Sequence, residues 1–339
     1  MTAAGLRLAA AAGDAYRRVF AAGPVAPLLS RPNPVRRTGF ELDVVVERVR
    51  REAEDVVSLA LAGEAPLPAW QPGAHLDVLL PSGRQRAYSL CGDPAEPGYR
   101  IAVRRLGRAS REAHALRDGD RLRVRGPRNA FPLVGNASSY LFIAAGIGIT
   151  PILPMVRACR GPWRLVYLGR SRASMPFVSE LDELGERGGR VEIRPDDECG
   201  PPDLHEILSR AGSGAAVYLC GPPALMAPAP RMLRALDPTA SLHTERFSLP
   251  EVDGGEPFEI HLRRTGTTVS VGAGETALTA LSRAVDLPYS CRQGFCGTCR
   301  VRVLDGEVDH RDRRLTGPGR ADTMLACVSR ATGRLVVDL

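Results

Sequence analysis

The stretch Tyr289-Ser290-Cys291-Arg292-Gln293-Gly294-Phe295-Cys296-Gly297-Thr298-Cys299 sets three cysteines in one short loop, and Cys327 follows after 27 intervening residues. A Cys-x4-Cys-x2-Cys run with a distant fourth cysteine is the spacing by which plant-type centres hold two irons on four thiolates. Three ligands then come from one tight turn, in which Gly294 and Gly297 let the backbone bend and bring N–H groups close to the sulfurs. The eight cysteines could instead pair as disulfides, but the other four, Cys91, Cys159, Cys199 and Cys220, are scattered singly. A structural zinc site takes two short-spaced pairs, which an x4 and an x2 step sharing one cysteine do not supply. The expectation is a [2Fe-2S] cluster on Cys291, Cys296, Cys299 and Cys327, and with it a reducing, cytoplasmic setting.

Around this loop, Glu259–Arg263 and Thr267–Val271 alternate as two strands of a hairpin, and Thr276–Ala284 has helical spacing. Arg300–Leu304 and Leu335–Leu339 supply further strands. Residues 257–339 thus read as a small α+β domain, and Pro250, Gly254, Gly255 and Pro257 mark residues 250–256 as a linker.

Upstream, the apolar run Tyr140–Ala145 leads into Gly146-Ile147-Gly148-Ile149-Thr150-Pro151, and the residues from Ile152 to Cys159 are apolar at helical spacing. A strand, a glycine turn and a helix start make an anion site of backbone N–H groups, with Pro151 suited to the first helical turn. The turn alone is weak evidence, but Leu165–Leu168, Val191–Arg194 and Ala216–Leu219 continue a βαβ alternation. Residues 134–249 therefore read as an α/β domain whose parallel sheet binds ligands at its strand C-termini. The last of these strands ends in Cys220-Gly221-Pro222, where the thiol reads either as a rim residue or as a packed core cysteine.

Residues 38–133 hold short alternating segments, Glu41–Val46, Val56–Ala60, His75–Leu80, Arg86–Leu90, Tyr99–Val103 and Arg121–Arg125, between frequent Gly and Pro turns. That pattern suits a small antiparallel β-barrel. In Arg86-Ala87-Tyr88-Ser89-Leu90, alternation puts Arg86, Tyr88 and Leu90 on one face and Ser89 on the other. An aromatic beside a cation could stack a ring and hold a phosphate, or could be an ordinary exposed strand.

The chain has 339 residues, 44% of them hydrophobic and 24% charged, which is globular composition divided among several domains. No run approaches the ~20 apolar residues of a membrane span. All 45 basic residues are Arg, so every side-chain cation that meets a phosphate is a guanidinium. Of the net charge of +7, residues 1–37 carry +5, from six Arg and one Asp, so the body is nearly balanced and nucleic-acid binding is not expected. Within that N-terminal extension, Leu8, Ala12, Tyr16, Val19 and Phe20 recur at helical spacing, and an Arg-rich transit peptide is the alternative.

Taken in order, these segments resemble the phthalate dioxygenase reductase and vanillate demethylase reductase family. Arg86-x-Tyr88-Ser89-Leu90 resembles its flavin signature, and Gly126-Pro127-Arg128-Asn129-x-Phe131-Pro132-Leu133 its barrel-closing segment. Gly146 to Pro151 is similar to its nucleotide turn, Cys220-Gly221-Pro222 to the motif beside the nicotinamide, and Tyr289 through Cys299 to its cluster loop. Two places depart from the pattern: Ala145 stands where a further glycine is common, and Gly107-Arg108-Ala109-Ser110 shortens a phosphate loop.

The resemblance implies a flavin-binding antiparallel β-barrel, a nucleotide-binding α/β domain and a plant-type ferredoxin domain. It implies that Arg86 and the Arg108, Ala109, Ser110 loop hold the flavin phosphate, that Tyr88 and Leu90 flank the flavin, and that Ser89 lies near its N5. Ala102, Val103 and Arg104 would line the flavin ring. Gly146, Gly148, Thr150 and Pro151 would take the dinucleotide, with Cys220, Gly221 and Pro222 near the nicotinamide and Glu245 and Phe247 closing against the flavin. Ser89, Thr150 and Cys220 are the candidate catalytic residues. FMN is expected over FAD. Arg170 and Arg172 after the second strand could favour a 2′-phosphate, but similar segments in the family accompany NADH, and NADH is the expectation over NADPH. The implied partner is a Rieske-type or cytochrome P450 oxygenase. A rival reading, a redox sensor that binds flavin and cluster without turnover, has no need of the nucleotide turn. Lone histidines such as His114, His205 and His310 are read as surface or structural.

Overall fold

The structure, a computed structural model, describes residues 41–186, 190–247, 252, 254–285, 287–289, 293–294, 297–312 and 314–339. Residues 1–37, Cys291 and Cys296 lie outside the described residues.

β1 (Glu41–Ala53), β2 (Val56–Gly63), β3 (Ala74–Leu79), β4 (Gln85–Ser89), β5 (Tyr99–Arg104) and β6 (Arg121–Asn129) pair antiparallel in the order β4-β3-β6-β1-β2-β5. A bridge between Leu90 and Ile101 joins the two edges and closes the barrel. Alternate residues such as Val44, Leu59, Leu76, Val78, Ile101 and Val124 fill its interior. The expected Gly107–Ser110 loop is instead the cap and first turn of α1 (Arg108–His114). The reason is local: Ala109, Ala113 and Leu116 recur at helical spacing and all bury against the barrel core.

The second sheet is parallel, in the order β11-β10-β7-β8-β9. Its strands are β7 (Tyr140–Ala145), β8 (Trp163–Gly169), β9 (Arg190–Pro195), β10 (Ala216–Cys220) and β11 (Ser241–Glu245). β7, β8 and β10 are apolar on both faces, as a sheet covered on both sides requires. Phe142, Ala144, Leu165, Tyr167 and Tyr218 pack toward α2 (Ile149–Ala158) and α3 (Val178–Glu186). Leu141, Ile143, Val166, Val217 and Leu219 pack toward α4 (Leu204–Ser209) and α5 (Ala229–Leu236). β11 is not foreseen from the sequence, because as an edge strand its one large apolar residue is Leu242.

The third sheet has the order β13-β12-β16-β14-β15, with β12 (Phe258–Leu262) parallel to β16 (Arg330–Val337). β13 (Thr268–Val271), β14 (Arg300–Asp309) and β15 (Thr323–Leu325) add antiparallel pairings. α6 (Ala277–Leu281) starts at Thr276, whose Oγ1 accepts from Thr279 N at 3.2 Å. Arg330 is 2% exposed, and its guanidinium donates to the carbonyls of Glu256, Gly272 and Glu275. One buried cation thus ties the incoming linker, the end of β13 and the approach to α6 together. Among the described residues, no helix is long and apolar enough to cross a membrane.

Candidate functional site

The winding of the parallel sheet reverses between β7 and β10, and ligands of such sheets bind in the crevice at that point. Ala144 and Cys220 lie side by side there. Gly146–Gly148 forms a tight 3-10 turn, with Gly146 at a φ of 54° that favours glycine. A Cβ on Gly148 would lie 2.3 Å from the Cys220 carbonyl oxygen, and one on Gly221 2.9 Å from the Ala145 Cβ. These glycines are therefore demanded first by contact between the two strand ends. Ala145 fits because its methyl group fills the space that Gly221 leaves. Thr150 is buried and its hydroxyl donates to Ile147 O at 3.0 Å, bracing the turn, while Pro151 is buried in the first turn of α2.

A cleft of about 820 Å³ opens over this turn. Gly146, Gly148, Gly221 and Pro222 form its floor, with Arg104, Leu106, Arg170, Asp196 and Phe247 around them. Arg104 comes from the barrel strand β5, yet its head lies against Gly146, where an added Cβ would meet Nη1 at 2.5 Å. Asp55 Oδ2 at 3.2 Å from Nε and the Ser174 carbonyl, accepting at 2.5 Å, hold it there. The sequence reading put Arg104 with Ala102 and Val103 along the flavin; its long side chain reaches the Gly146–Gly148 turn. Val103 packs into the barrel interior, and Ala102 into the core between barrel and parallel sheet.

Of the two arginines after β8, Arg170 lines the cleft, whereas Arg172 Nε pairs with Glu198 at 2.9 and 3.1 Å. Asp196, which follows directly on β9, faces the same cleft as Arg170. Sequence reasoning missed it, although an acid at a strand C-terminus of this sheet was the available signal.

On the barrel, Arg86 is exposed and donates to the Gln85 carbonyl at 2.8 Å. Tyr88 is half-buried against the barrel core, and burial pushes its phenol up to about 12. Glu112 of α1 accepts from the Ser82 N–H (2.5 Å) and hydroxyl (2.6 Å), which pins the helix to the turn leading into β4. Arg108 is exposed, and the Ser110 hydroxyl accepts from Leu106 N and Gly107 N, both at 2.8 Å. Leu90 and Ala109 turn into the barrel core, so backbone is what they offer a ligand.

Ser89 faces away from that core, and its hydroxyl donates to Glu245 Oε2 at 3.3 Å, with both residues buried. Burial pushes the Glu245 carboxyl up to about 8, against a smaller lowering by Ser89. Burial, and then the nearby Glu245 charge, push the Cys220 thiol well up. Ser89, Glu245 and Cys220 thus form a neutral, protonated cluster at neutral pH. Beside it, Leu106 is 81% and Phe247 48% exposed, and exposed large apolar groups on a cleft rim mark a binding surface.

At the cysteine loop, Cys299 and Cys327 are fully buried. Pairing of Arg300 with Leu325, and an Ala326 N–H donating to Cys299 O at 3.1 Å, bring these distant segments together. Two buried cysteines on adjoining segments suit a soft metal centre. Gly294 and Gly297 adopt φ of 76° and 78°, and a Cβ on Gly294 would lie 2.6 Å from Val328 Cγ2. The loop reaches the other two sheets: Tyr289 Oη donates to Gln85 O at 3.5 Å, and Gln293 Nε2 to Arg246 O at 3.4 Å. His114 and His310 bond the backbone carbonyls of Val103 and Arg320, and His205 is exposed.

Comparison with known proteins agrees with this layout. The family model for a 2Fe-2S iron-sulfur cluster binding domain matches residues 260–332. Phthalate dioxygenase reductase of Burkholderia cepacia is 36% identical over 306 residues, 85% of this chain and 94% of that protein. A solved phthalate dioxygenase reductase, described as a modular structure for electron transfer from pyridine nucleotides to [2Fe-2S], superposes with a TM-score of 0.66 at 35% identity. That match covers 88% of this chain and 98% of the other. An intact type IV self-sufficient cytochrome P450 monooxygenase matches at 40% identity with a TM-score of 0.68, over 88% of this chain and 41% of that longer one.

Proposed function

Given that the chain belongs to the phthalate dioxygenase reductase family, we propose that it passes electrons from NADH through FMN and the [2Fe-2S] cluster to a partner oxygenase of Rieske or cytochrome P450 type. One observation carries this reading: the signature elements of all three domains converge on β4. Ser89 at its end bonds Glu245 of the parallel sheet, Gln85 at its start accepts from Tyr289 of the cysteine loop, and Gln293 of that loop bonds Arg246.

A flavin, when bound, supplies the exchange between one hydride and two single electrons. The chain's own residues then have distinct tasks. The Gly146–Gly148 turn offers backbone N–H groups at the start of α2, with Arg104 as a cation beside them, for the dinucleotide phosphates. Phe247 and Leu106 line the cleft and would offer apolar faces to a bound ring. Glu245, protonated near neutrality, holds a proton at its carboxyl beside Ser89 Oγ and can replace one that the hydroxyl gives up. Cys220, neutral and buried beside the glycine turn, would adjoin a bound nicotinamide without adding charge.

FMN is the expected flavin because the family resemblance implies a barrel that holds a single phosphate, for which Arg86 and Arg108 offer exposed cations. NADH is the expected donor because Asp196 faces the cleft with Arg170 while Arg172 is occupied by Glu198. A carboxylate there accepts from a ribose 2′-hydroxyl and repels a 2′-phosphate.

The test is anaerobic addition of NADH to the purified coloured protein, followed at flavin and cluster absorbances. Bleaching of both is expected, with FMN recovered after acid release. A protein that contains flavin and iron but bleaches neither with NADH overturns the reading, and recovery of FAD alone overturns its FMN part.

A further inference from the structure

Arg104 reaches the glycine turn from the barrel, and the hairpin between β1 and β2 carries the group that aims it. Glu54 and Asp55 form the two-residue turn of that hairpin, next to the pair Ala53 and Val56. The backbone there is fixed from three sides. Glu54 N donates to the Ala173 carbonyl at 3.0 Å, Arg105 N donates to the Asp55 carbonyl at 2.8 Å, and Arg51 Nη2 donates to the Glu54 carbonyl at 3.0 Å. Asp55 Oδ2 then lies 3.2 Å from Arg104 Nε, with both side chains mostly buried. Arg104 Nη2 donates to the Ser174 carbonyl, and Nη1 stands against Gly146 at the cleft floor. A turn aspartate ordinarily bonds a backbone N–H of its own turn. The Asp55 carboxylate takes none among the described residues, and its Oδ1 is buried without a hydrogen-bond partner. A buried, half-satisfied carboxylate costs stability, so the turn itself gives no reason for an acid here.

We propose that Asp55 is a positioning residue for the dinucleotide: it orients Arg104 so that Nη1 meets the diphosphate over the Gly146–Gly148 turn. The proposal rests on the reading that this cleft takes NADH. It adds a barrel residue that does not line the cleft and yet sets the affinity of the nucleotide. Two opposed effects give the test a sign. An acid near a phosphate repels it, so an Asp55 without a positioning task would weaken binding, and its removal would tighten it. An acid that fixes the direction of a guanidinium spares the ligand the ordering of a long side chain, and its removal loosens binding.

The test uses the holoprotein and two readouts. One is the Kd for ADP-ribose, which has the diphosphate but no nicotinamide, by calorimetry. The other is anaerobic flavin bleaching against NADH concentration, which separates half-saturation from the limiting rate. Asp55→Ala and the isosteric Asp55→Asn should each raise the Kd and the half-saturating NADH by about tenfold, a loss of the size that misplacing one charge-assisted contact gives. The limiting rate should change less than about twofold, since bound NADH is held by the rest of the cleft. In an Arg104→Ala background, Asp55→Ala should add less than about twofold, because the two side chains act as one unit. Unchanged or tighter ADP-ribose binding in both Asp55 variants overturns the proposal. So does an equal loss with and without Arg104, which would assign Asp55 to the fold alone. A parent that neither binds ADP-ribose nor bleaches with NADH overturns the nucleotide reading beneath it instead.

Discussion

The barrel and the parallel sheet share one hydrophobic core, whereas the C-terminal domain keeps a core of its own. Val56, Cys91, Ala102 and Phe131 from the barrel side pack in the same cluster as Phe142, Tyr167 and Met155. Ion pairs reinforce that junction. Arg100 on β5 grips Glu180 on α3 through both nitrogens, at 2.8 and 2.9 Å, lies over the Phe177 ring, and shares Glu180 with Arg157. The C-terminal core, from Phe258 to Val337, is separate, and its loop meets the rest through long hydrogen bonds such as those of Tyr289 and Gln293. The difference follows from what crosses each junction. A hydride moves only when the two rings are held in register, with reacting atoms about 3–3.5 Å apart. A single electron crosses a longer gap and tolerates small displacements, so the cluster domain can be held less rigidly.

The largest effect expected is from Cys327→Ser. Iron should fall from about two per chain to near zero, since a four-thiolate centre loses a ligand. Acceptor reduction through the cluster should go with it, while flavin content and NADH-driven flavin bleaching persist. Coupled loss of the flavin would break the picture of two separate cores.

Glu180→Ala should cost about 2–3 kcal/mol in urea unfolding, because it leaves Arg100 and Arg157 facing each other in a half-buried site. Flavin reduction by NADH should slow with it, as the rings lose their register. A stability change under ~0.5 kcal/mol would mean the shared core alone aligns the two domains.

Glu245 gives the junction a pH dependence. Its folded value, about 8, lies above its ordinary 4.5, so its share of stability is complete below 4.5 and is lost as pH rises through 8. Between pH 6 and 8 the parent should lose roughly 2 kcal/mol from this group, by proton linkage. Glu245→Gln should flatten that slope. A slope equal to the parent's would show that the carboxyl ionises without cost in the folded chain.

Asp196→Ala should erode the NADH preference by about tenfold, which is only about 1.4 kcal/mol. Arg172→Ala, already paired away from the cleft, should change it less than about twofold by the same scale. At the looser junction, Tyr289→Phe should shift stability by less than about 0.5 kcal/mol, since it removes a long hydrogen bond to the Gln85 carbonyl. A larger loss there would show that the two junctions are alike after all.

By itself the sequence determined whatever depends on spacing along the chain. Four cysteines at ferredoxin spacing, the glycine turn after β7 and the alternating barrel strands are local patterns, and β7 is found at its expected bounds, Tyr140–Ala145. Local reading failed where the deciding partner is far away in sequence. β11 forms because β10 pairs with it, not because Ser241–Glu245 prefers a strand, and α1 forms because the barrel buries its alanines. The candidate site divides in the same way. Arg86, Ser89, the Gly146–Gly148 turn and Cys220 were legible, since each sits in a short motif. That Arg104 lies against the Gly146–Gly148 turn, that Arg172 is taken by Glu198, and that Asp196 faces the cleft together with Arg170 are decided only in three dimensions. A long side chain can reach several ångströms either way from its backbone. Which direction it takes is set by the carboxylates and carbonyls that folding brings near.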